Sequence, residues 1–331
     1  MKKRINWIDV AKGITIILMI IGHTKLLPQQ LNILIFSFHM PLFIVLSGMT
    51  YKIPKHKNDI KENIKKYIKR LLIPYFITVL ICVFIQLLKT DNSFNIYFLI
   101  KEIIKQFLWG NGCSYHFFGH DFTGVGPVWF LVTLFFSKII FDYINLYLKS
   151  SHYKLAVFSF LLLIGIEIGK LCWLPQGLDL VLIFLFYLYA GHWYQNEFKN
   201  MKINKNICFV ATFLVWTICL GFNFNIELAV RSYPYGVLCV VQSLCGTYCV
   251  FELCKFLSSI GIFNKLLSYI GRMSLIILCV HSIEFCIIDW SLLKTNIFII
   301  CIIRVVLNIL VAFIFNYIKR LIVNKYKKRV N

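Results

Sequence analysis

The sequence contains few charged residues, and few of those are acidic. Asp, Glu, Lys and Arg make up 15% of the 331 residues, whereas hydrophobic residues make up 59%. Long apolar runs recur along the chain, and one soluble core cannot bury so much apolar surface. A soluble globular protein is therefore excluded. The composition predicts an all-α, polytopic integral membrane protein.

Several other features are absent. The basic start MKKRINWIDVAKG precedes an apolar run without a small-residue cleavage site, so we expect a retained first helix rather than a signal peptide. No internal repeat and no appended soluble domain is apparent. We therefore expect a single membrane-embedded domain over 1–331, with a short basic tail at about 319–331. The twelve cysteines lack paired zinc-type spacing, although Cys113 and Cys172 lie in predicted outer loops where they could pair.

Apolar runs of membrane-spanning length are the main feature that is present. The pattern predicts about ten transmembrane helices, so both termini lie on one side of the membrane. A longer outer segment, about 89–125, contains a stretch with helical apolar spacing that suits a helix on the membrane surface. The predicted spans are about 7–25, 31–50, 71–88, 126–147, 155–171, 178–195, 206–222, 235–256, 272–290 and 297–318.

The excess of positive charge is explained by this topology. Of the 35 basic residues, about 25 fall in loops and tails that become cytoplasmic when the N-terminus is cytoplasmic, as the positive-inside rule requires. They include Lys2, Lys3 and Arg4, the run from Lys52 to Arg70, and the C-terminal tail. Because the charge is spread over membrane-flanking segments, the net charge of +21 does not indicate nucleic-acid binding.

The first two spans carry ionisable residues, which are costly in a membrane and mark a functional site unless they pair. Asp9 and Lys12 are three residues apart on one helix face, so they either neutralise each other or serve a site. His23 lies near the outer end of the same helix, as an interfacial packing residue or a catalytic one. In the second span His39 precedes Pro41, so it either bonds a carbonyl that the proline leaves unpaired or joins His23.

Other polar residues have similar alternatives. His281 and Glu284 share a helix face, and with Arg304 of the last span they form either a structural network or an acceptor-binding one. Trp129, after the GPV turn, either anchors its helix at the interface or stacks on a sugar. The outer sequence YHFFGHD would bring His116, His120 and Asp121 together for a metal only if it were helical, and we predict no metal site.

Five motifs resemble those of the acyltransferase 3 family of membrane proteins, especially its fucose 4-O-acetylase-like branch. The motifs keep the family's order and spacing over nearly the whole chain. They read WIDVAKGITIILMIIGHT, FSFHMPLFIVLSGM, KRLLIPY, GPVWFLVTLFF and YIGRMSLIILCVH. The resemblance implies a ten-helix membrane enzyme that transfers an acyl group, usually acetyl from cytosolic acetyl-CoA, to a hydroxyl of a carbohydrate destined for the cell surface.

The resemblance also implies roles for individual residues. The family's essential first-helix histidine matches His23, its basic residue in the opening motif matches Lys12, and its second-helix histidine matches His39. The family often has an Arg-x-x-Arg pair before the third helix. Here only Arg70 matches, because Tyr67 stands at the first position. This departure puts a mechanism that needs two arginines in doubt.

The chemistry of the residues fits acyl transfer independently of the resemblance. A hydroxyl attacks a thioester poorly until it loses its proton, and histidine is suited to accept that proton at neutral pH. His23 would be this base or a nucleophile that carries the acyl group, and His39 would orient it or hold the oxyanion. The phosphates of coenzyme A need cations, which the segment 51–70 offers in Lys66, Lys69 and Arg70, together with Lys12 of the first helix.

Asp9, Trp129, His281 and Glu284 are the predicted acceptor contacts. The expected partners are a glycan or lipid-linked sugar and membrane lipids, and the expected location is the plasma or inner membrane. A polytopic transporter or exporter of a polysaccharide is the main alternative function, but the chain lacks the repeat symmetry that transporters favour. A membrane sensor is a weaker alternative, because no output domain is attached. Neither the oligomeric state nor the identity of the acceptor sugar follows from the sequence.

Overall fold

The computed structural model of the protein describes residues 5–89 and 96–330. Within these residues the fold is almost entirely α-helical, as predicted, and contains one two-stranded antiparallel sheet. Lys2, Lys3 and Arg4 of the predicted cytoplasmic N-terminus lie outside the described residues.

The described helices and strands follow one another without any large irregular region. They are α1 (Asn6–Gly22), α2 (Gln29–Phe36), α3 (His39–Met49), α4 (Lys57–Tyr67), α5 (Ile73–Leu88), α6 (Ile96–Trp109), β1 (Tyr115–Phe117), β2 (His120–Phe122), α7 (Trp129–Tyr147), α8 (Ser151–Leu171), α9 (Leu178–Asn196), α10 (Lys205–Gly221), α11 (Val237–Ser259), α12 (Gly261–Arg272), α13 (Ser274–Ile287) and α14 (Ile297–Val330).

Contacts divide the chain into two compact units. Unit 1 comprises Met1–Asn32 and Leu253–Asn331, and unit 2 comprises Ile33–Glu252. Unit 1 therefore combines the first helix with the last three, whereas unit 2 contains the middle of the chain. The assignment of 1–331 to one functional domain stays a prediction.

The described helices include several that are long and apolar enough to cross a membrane. There are six of these, or seven if the bent pair α12 and α13 counts as one span. Each of the ten predicted spans coincides with at least one helix, but the count of ten and the side of the termini stay predictions. The six are Gln29–Met49, Lys57–Leu88, Gly126–Tyr147, Pro175–Asn200, Val237–Ser259 and Ile297–Val323.

Helix α10 shows why these helices suit a lipid environment. None of its side chains is buried, and large apolar residues such as Ile207, Phe213 and Ile218 lie on its surface. Such a contiguous apolar surface is unfavourable in water and favourable against lipid tails. The multi-pass membrane character of the chain thus follows from its exposed faces as well as from its composition.

In unit 1, α1 and α12 approach each other closely through two glycines. A β-carbon at Gly13 would collide with the carbonyl oxygen of Leu267, and one at Gly271 would collide with the carbonyl oxygen of Asp9. Small residues of this kind allow membrane helices to pack backbone to backbone. After α12 the chain bends by 65° into α13. The predicted span 272–290 is therefore the second arm of a broken helix.

In unit 2, α3 and α9 pack in the same way. A β-carbon at Gly48 would meet the carbonyl oxygen of Leu188, and one at Gly191 would meet that of Val45. Gly48 and Gly191 therefore allow α3 and α9 to pack backbone to backbone. The predicted second span, 31–50, is broken between α2 and α3 just before His39, because Pro41 has no N–H to bond the carbonyl of Ser37.

The basic run from Lys52 to Arg70 is largely helical, and not the loop we predicted. Helix α4 continues through a π-helical turn, Ile68–Leu72, into α5. Asn63 and Tyr67 of α4 both donate hydrogen bonds to the buried carboxylate of Asp142 on α7, at 3.1 and 3.2 Å. These contacts fix the basic helix against the rest of unit 2.

The segment that we predict to be outside contains the predicted helix, α6, followed by the β1–β2 hairpin. The hairpin places His116 opposite Asp121, and the two side chains hydrogen-bond at 2.8 Å. The helical arrangement that a metal site would have needed is therefore absent. No group of three or more potential metal ligands occurs within 5–89 and 96–330. Cys113 and Cys172 are free thiols.

Candidate active site

A buried cluster of polar side chains joins three helices of unit 1. His23 follows the last residue of α1, His281 and Glu284 lie one turn apart on α13, and Arg304 lies on α14. Three of these were predicted as site residues, and Arg304 was predicted as part of their network. The structure brings all four together.

Glu284 is the centre of the cluster. Its carboxylate accepts hydrogen bonds from His281 Nδ1 at 2.8 Å and from Arg304 Nε and Nη2 at 3.0 and 3.2 Å. The indole N–H of Trp290 also donates to it. Two parallel bonds from a guanidinium are the strong, orientation-specific arrangement for a carboxylate. Glu284 is therefore held as a carboxylate at a fixed position beside His281.

Arg304 links this carboxylate to the end of the first helix. Its Nη1 donates to the backbone carbonyl of His23 and to the hydroxyl of Thr24, both at 2.9 Å. The last carbonyls of a helix have no partner within the helix, so a cation at this position both satisfies and fixes them. Arg304 thereby sets the position of His23 relative to α13 and α14.

The two histidines of the cluster lie side by side. The centroids of the His23 and His281 rings are 5.5 Å apart, in an edge-to-face arrangement. His23 Nδ1 lies 2.7 Å from the carbonyl oxygen of Met19, which only accepts hydrogen bonds. The proton of neutral His23 is therefore on Nδ1, and the lone pair is on Nε2. By the same reasoning, the contact with Glu284 places the lone pair of neutral His281 on Nε2.

Two acceptor atoms of the cluster have no hydrogen-bond partner. They are His281 Nε2 and Asn308 Oδ1, both in buried side chains. The amide of Asn308 is oriented by its Nδ2, which donates to the backbone carbonyl of Arg304 at 2.9 Å. Other buried side chains of the described residues, among them Tyr75 and Gln242, also have an unpartnered atom, but His281 and Asn308 both contact Glu284, so their two free acceptors belong to one cluster. The cluster thus lacks hydrogen-bond donors, which hydroxyl groups would supply.

A more exposed ion pair belongs to the same unit. Lys25 Nζ lies 3.7 Å from the carboxylate of Asp289, and both side chains are largely in solvent. Hydrogen bonds from the side chain and backbone amide of Ser291 hold the pKa of Asp289 below its usual value, and Lys25 adds to this effect. Asp289 therefore remains ionised beside Trp290.

Asp9 and Lys12 lie on α1, one to two turns from its start. Asp9 is buried and Lys12 is half-buried. The backbone of Asp9 lies against Gly271 in the α1–α12 interface. This position gives Asp9 a part in helix packing, while its predicted contact with the acceptor and that of Lys12 with the cofactor stay predictions.

His39 lies in unit 2, at the first residue of α3. Its ring is buried, and Nδ1 donates to the carbonyl of Ile35 at 2.9 Å. The contact is a backbone hydrogen bond, but its acceptor is Ile35 and not Ser37, the carbonyl that Pro41 leaves unpaired, so it differs from the structural alternative that we considered. The contact leaves the Nε2 lone pair of the neutral ring available for chemistry, so the predicted catalytic role stays a prediction.

The predicted cofactor contacts in unit 2 share one exposed region. Lys66 lies in the last turn of α4 and pairs with Glu62, whereas Lys69 and Arg70 lie in the π-helical turn. All three cations are exposed. Single π-helical turns are frequent at functional sites because they redirect side chains. Tyr67 stands at the position of the family's first arginine. Its side chain carries no positive charge and donates a hydrogen bond to Asp142, so it does not replace that arginine.

Trp129 is buried, with only 4% of its surface exposed. Its ring packs near Phe184 and leaves no room for a β-carbon at Gly112. A sugar could reach the ring only if the segment around Gly112 moved. The predicted stacking of Trp129 on a sugar therefore gains no support from its position.

A second buried ion pair, in unit 2, was missed by the sequence analysis. Arg231 donates to Asp179 through Nε and Nη2 at 2.8 and 3.0 Å, and Nη2 also donates to Asn111 at 2.6 Å. The guanidinium lies 4.4 Å from the ring centroid of Trp173. Arg231 has a positive φ of 53°, which is strained for a non-glycine residue. Its contacts stabilise that conformation.

Thr24, Trp290 and Asn308 of the unit 1 cluster were also missed. Asn308 follows Arg304 by one helical turn within an apolar run, which was a usable signal. Thr24 and Trp290 had no such signal, because both lie at helix ends where polar and aromatic residues are common.

Comparison with known proteins gives one family match. Searches of curated proteins and of solved structures found no match. The sequence model of the acyltransferase 3 family, described as an acyltransferase domain, matches residues 5–318 and so covers all the elements that form the site. The match does not identify the branch of the family. The chain belongs to the acyltransferase 3 family.

Proposed function

We propose that this protein is a membrane-bound O-acyltransferase. It moves an acetyl or other short acyl group from cytosolic acyl-CoA to a hydroxyl of a cell-surface or lipid-linked carbohydrate, in the plasma or inner membrane. One observation carries the proposal. In a chain of an acyltransferase family, His23 lies beside a second histidine that is bonded to a carboxylate.

The unit 1 cluster has the groups that acyl transfer to a hydroxyl requires. The hydroxyl must lose a proton to a base, and the acyl carbon must be attacked by a nucleophile. His23 and His281 each have the tautomer that places a lone pair on Nε2. The two unpartnered acceptor atoms, His281 Nε2 and Asn308 Oδ1, favour a ligand that donates hydrogen bonds, as a carbohydrate does.

We assign binding of the acyl-CoA donor to the exposed cations of unit 2. Lys66, Lys69 and Arg70 follow one another on the predicted cytoplasmic face, and no acidic residue lies between them. The phosphates of coenzyme A are anionic, so they bind favourably to such a group of cations. Topological sorting and binding to lipid head groups would also favour these cations.

The proposal is tested with the purified full-length protein in lipid nanodiscs. It is given labelled acetyl-CoA together with surface carbohydrate extracted from a strain that lacks the gene. We expect coenzyme A release that depends on the extract, and label in an ester on the carbohydrate. Acetyl-CoA with buffer alone is the control for thioester hydrolysis.

Two results would contradict the proposal. Movement of the carbohydrate across a vesicle membrane without acylation would identify a transporter instead. Absence of coenzyme A release with any short acyl-CoA, from protein that is folded, would remove the donor assignment. Mass spectrometry of surface glycans from the deletion strain identifies the acceptor and its position.

A further inference from the structure

Among the described residues, His281 Nε2 is one of several buried side-chain atoms without a hydrogen-bond partner, and it is the one that belongs to an imidazole beside His23. The side chain is wholly buried, Nδ1 is committed to Glu284, and Nε2 has no partner. A histidine that served only packing or helix pairing would leave this nitrogen unsatisfied, which is unfavourable in a buried site. The atom is therefore placed to receive a donor that the reaction brings.

The surroundings of His281 suit a base. When a base accepts a proton it becomes positively charged, and in a buried site that charge needs a neighbouring anion. The Glu284 carboxylate lies 2.8 Å from His281 Nδ1 and is itself fixed by Arg304. A carboxylate that holds an imidazole in this way orients its tautomer and stabilises the imidazolium, as in serine hydrolases.

The surroundings of His23 differ in two respects. Its Nδ1 is held by a backbone carbonyl and not by a carboxylate, and its ring is partly exposed whereas that of His281 is fully buried. A large thioester can reach a partly exposed ring more easily than a buried one. A hydroxyl of an acceptor bound against His23 needs to reach only the neighbouring ring, 5.5 Å away between centroids.

From these differences we infer that the two histidines divide the reaction, and this inference rests on the function proposed above. His23 carries the acyl group, His281 is the base for the acceptor hydroxyl, and Glu284 is the positioning residue of His281.

In the first step, Nε2 of His23 attacks the thioester carbonyl carbon. The N–C bond forms, the C–S bond breaks, and the electron pair leaves with the sulfur as coenzyme A thiolate. His23 keeps its proton on Nδ1, where it is hydrogen-bonded to the Met19 carbonyl. The acyl-imidazole is therefore positively charged and activated for attack.

In the second step, the acceptor hydroxyl attacks the acyl carbon. Its proton passes to His281 Nε2, the new C–O bond forms, and the N–C bond breaks to restore neutral His23. His281 is now an imidazolium paired with Glu284. It then releases its proton to solvent, which balances the proton taken up by the thiolate.

The two half-reactions are measured separately in the purified full-length protein. Without acceptor, rapid mixing with acetyl-CoA should release about one equivalent of coenzyme A per protein, and mass spectrometry should find the acetyl group on the His23 peptide. His281→Asn retains an N–H for Glu284 and lacks the base. It should show the same burst, but slow transfer to the extracted surface carbohydrate by about 10²–10⁴-fold.

Further variants make the result specific. Glu284→Gln should also keep the burst, and its transfer step should be slower than that of the parent. A merely structural role of Glu284 would impair both half-reactions together. His23→Ala should lose both half-reactions. His152→Asn changes an exposed histidine of α8 and should keep both. Thermal unfolding in detergent reports that each variant is folded, including His23→Ala. His281→Gln replaces His281→Asn if the latter does not insert.

Three results would overturn the inference while leaving the proposed function intact. The first is transfer at the parent rate by His281→Asn. The second is full transfer by the parent protein with neither burst nor acetylated His23. The third is loss of the burst in folded protein of both His281 variants. If the parent protein neither releases coenzyme A nor acylates the extract, the proposed function itself fails.

Discussion

Two buried arginine–carboxylate pairs, one in each unit, differ in what surrounds them. Arg231 and Asp179 of unit 2 form two parallel hydrogen bonds, and the remaining contacts are to Asn111, Trp173 and backbone groups. Arg304 and Glu284 of unit 1 form a similar pair. Around the second pair, however, His281 Nε2 and Asn308 Oδ1 have no partner.

The comparison distinguishes an ion pair with structural contacts from the ion pair that we propose to be functional. Both carboxylates are buried and both guanidiniums are fixed, so burial and pairing alone do not identify a site. The polar atoms of Asp179, Arg231 and Asn111 are all used within the protein, and the unpartnered atom near this pair is the Tyr233 hydroxyl, which can donate a hydrogen bond as well as accept one. The Glu284 cluster keeps unused acceptors beside a partly exposed histidine, which is what a substrate that donates hydrogen bonds requires.

The largest expected effect is the loss of catalysis on changing His23. His23→Ala and His23→Gln should both insert like the parent and lose O-acyl transfer by about 10²–10⁴-fold or more, because the reacting nitrogen is gone. Coenzyme A release per folded protein measures this. A packing role predicts that Gln restores what Ala loses. Full transfer by folded His23→Ala would leave His281 or His39 as the essential base.

The next effect tests the structural pair. Arg231→Ala leaves Asp179 as an unpaired buried charge, which costs about 3–5 kcal/mol. We expect a large fall in the thermal unfolding temperature in detergent. The surviving folded protein should transfer acyl groups at the parent rate. A stable Arg231→Ala protein without activity would instead place this pair in the acceptor site.

A smaller effect is expected for the helix interface of unit 2. Gly48→Ala brings a methyl group against the Leu188 carbonyl, and overpacking of this kind costs about 1–3 kcal/mol. Gly221→Ala at the end of α10 meets no neighbouring atom and is the matched control. Thermal unfolding compares the two. Equal stability of both variants would show that α3 and α9 do not depend on this close contact.

The smallest effect concerns the donor end. Arg70→Ala should raise the Michaelis constant for acetyl-CoA by about tenfold, equivalent to about 1.4 kcal/mol, because it removes one contact to a phosphate. Lys61→Ala, an exposed cation of the same helical segment, is the control. A rise in the acceptor constant alone would move Arg70 away from the donor site.

The fold was predictable where composition determines it. Apolar runs of sufficient length located the helices, because hydrocarbon tolerates few other backbone structures. The positions at which helices bend or begin were less predictable. The 65° bend between α12 and α13 has no proline or glycine pair at the break to indicate it. The basic run packs through Asn63 and Tyr67 against Asp142, a contact between residues distant in the sequence. The hairpin also escaped prediction, because its strands are only three residues long.

The site was predictable in its members more than in its geometry. His23, His281, Glu284 and Arg304 were visible as ionisable residues in apolar runs, which are rare enough to be noticed. Their grouping was not visible in the sequence, because His23 and Arg304, which share a hydrogen bond, are 281 residues apart. Arg231 and Asn111 lie in loops, where a polar residue carries no such signal.

The most direct test of the account compares Glu284→Gln with Asp179→Asn. Both changes remove the charge of a buried carboxylate bonded to arginine, and the rate of O-acyl transfer per folded molecule is measured for each. We expect a loss of about 10²-fold or more in this rate for Glu284→Gln. We expect the parent rate for Asp179→Asn, whose effect is limited to stability. Parent activity in Glu284→Gln together with an inactive, folded Asp179→Asn would contradict the account.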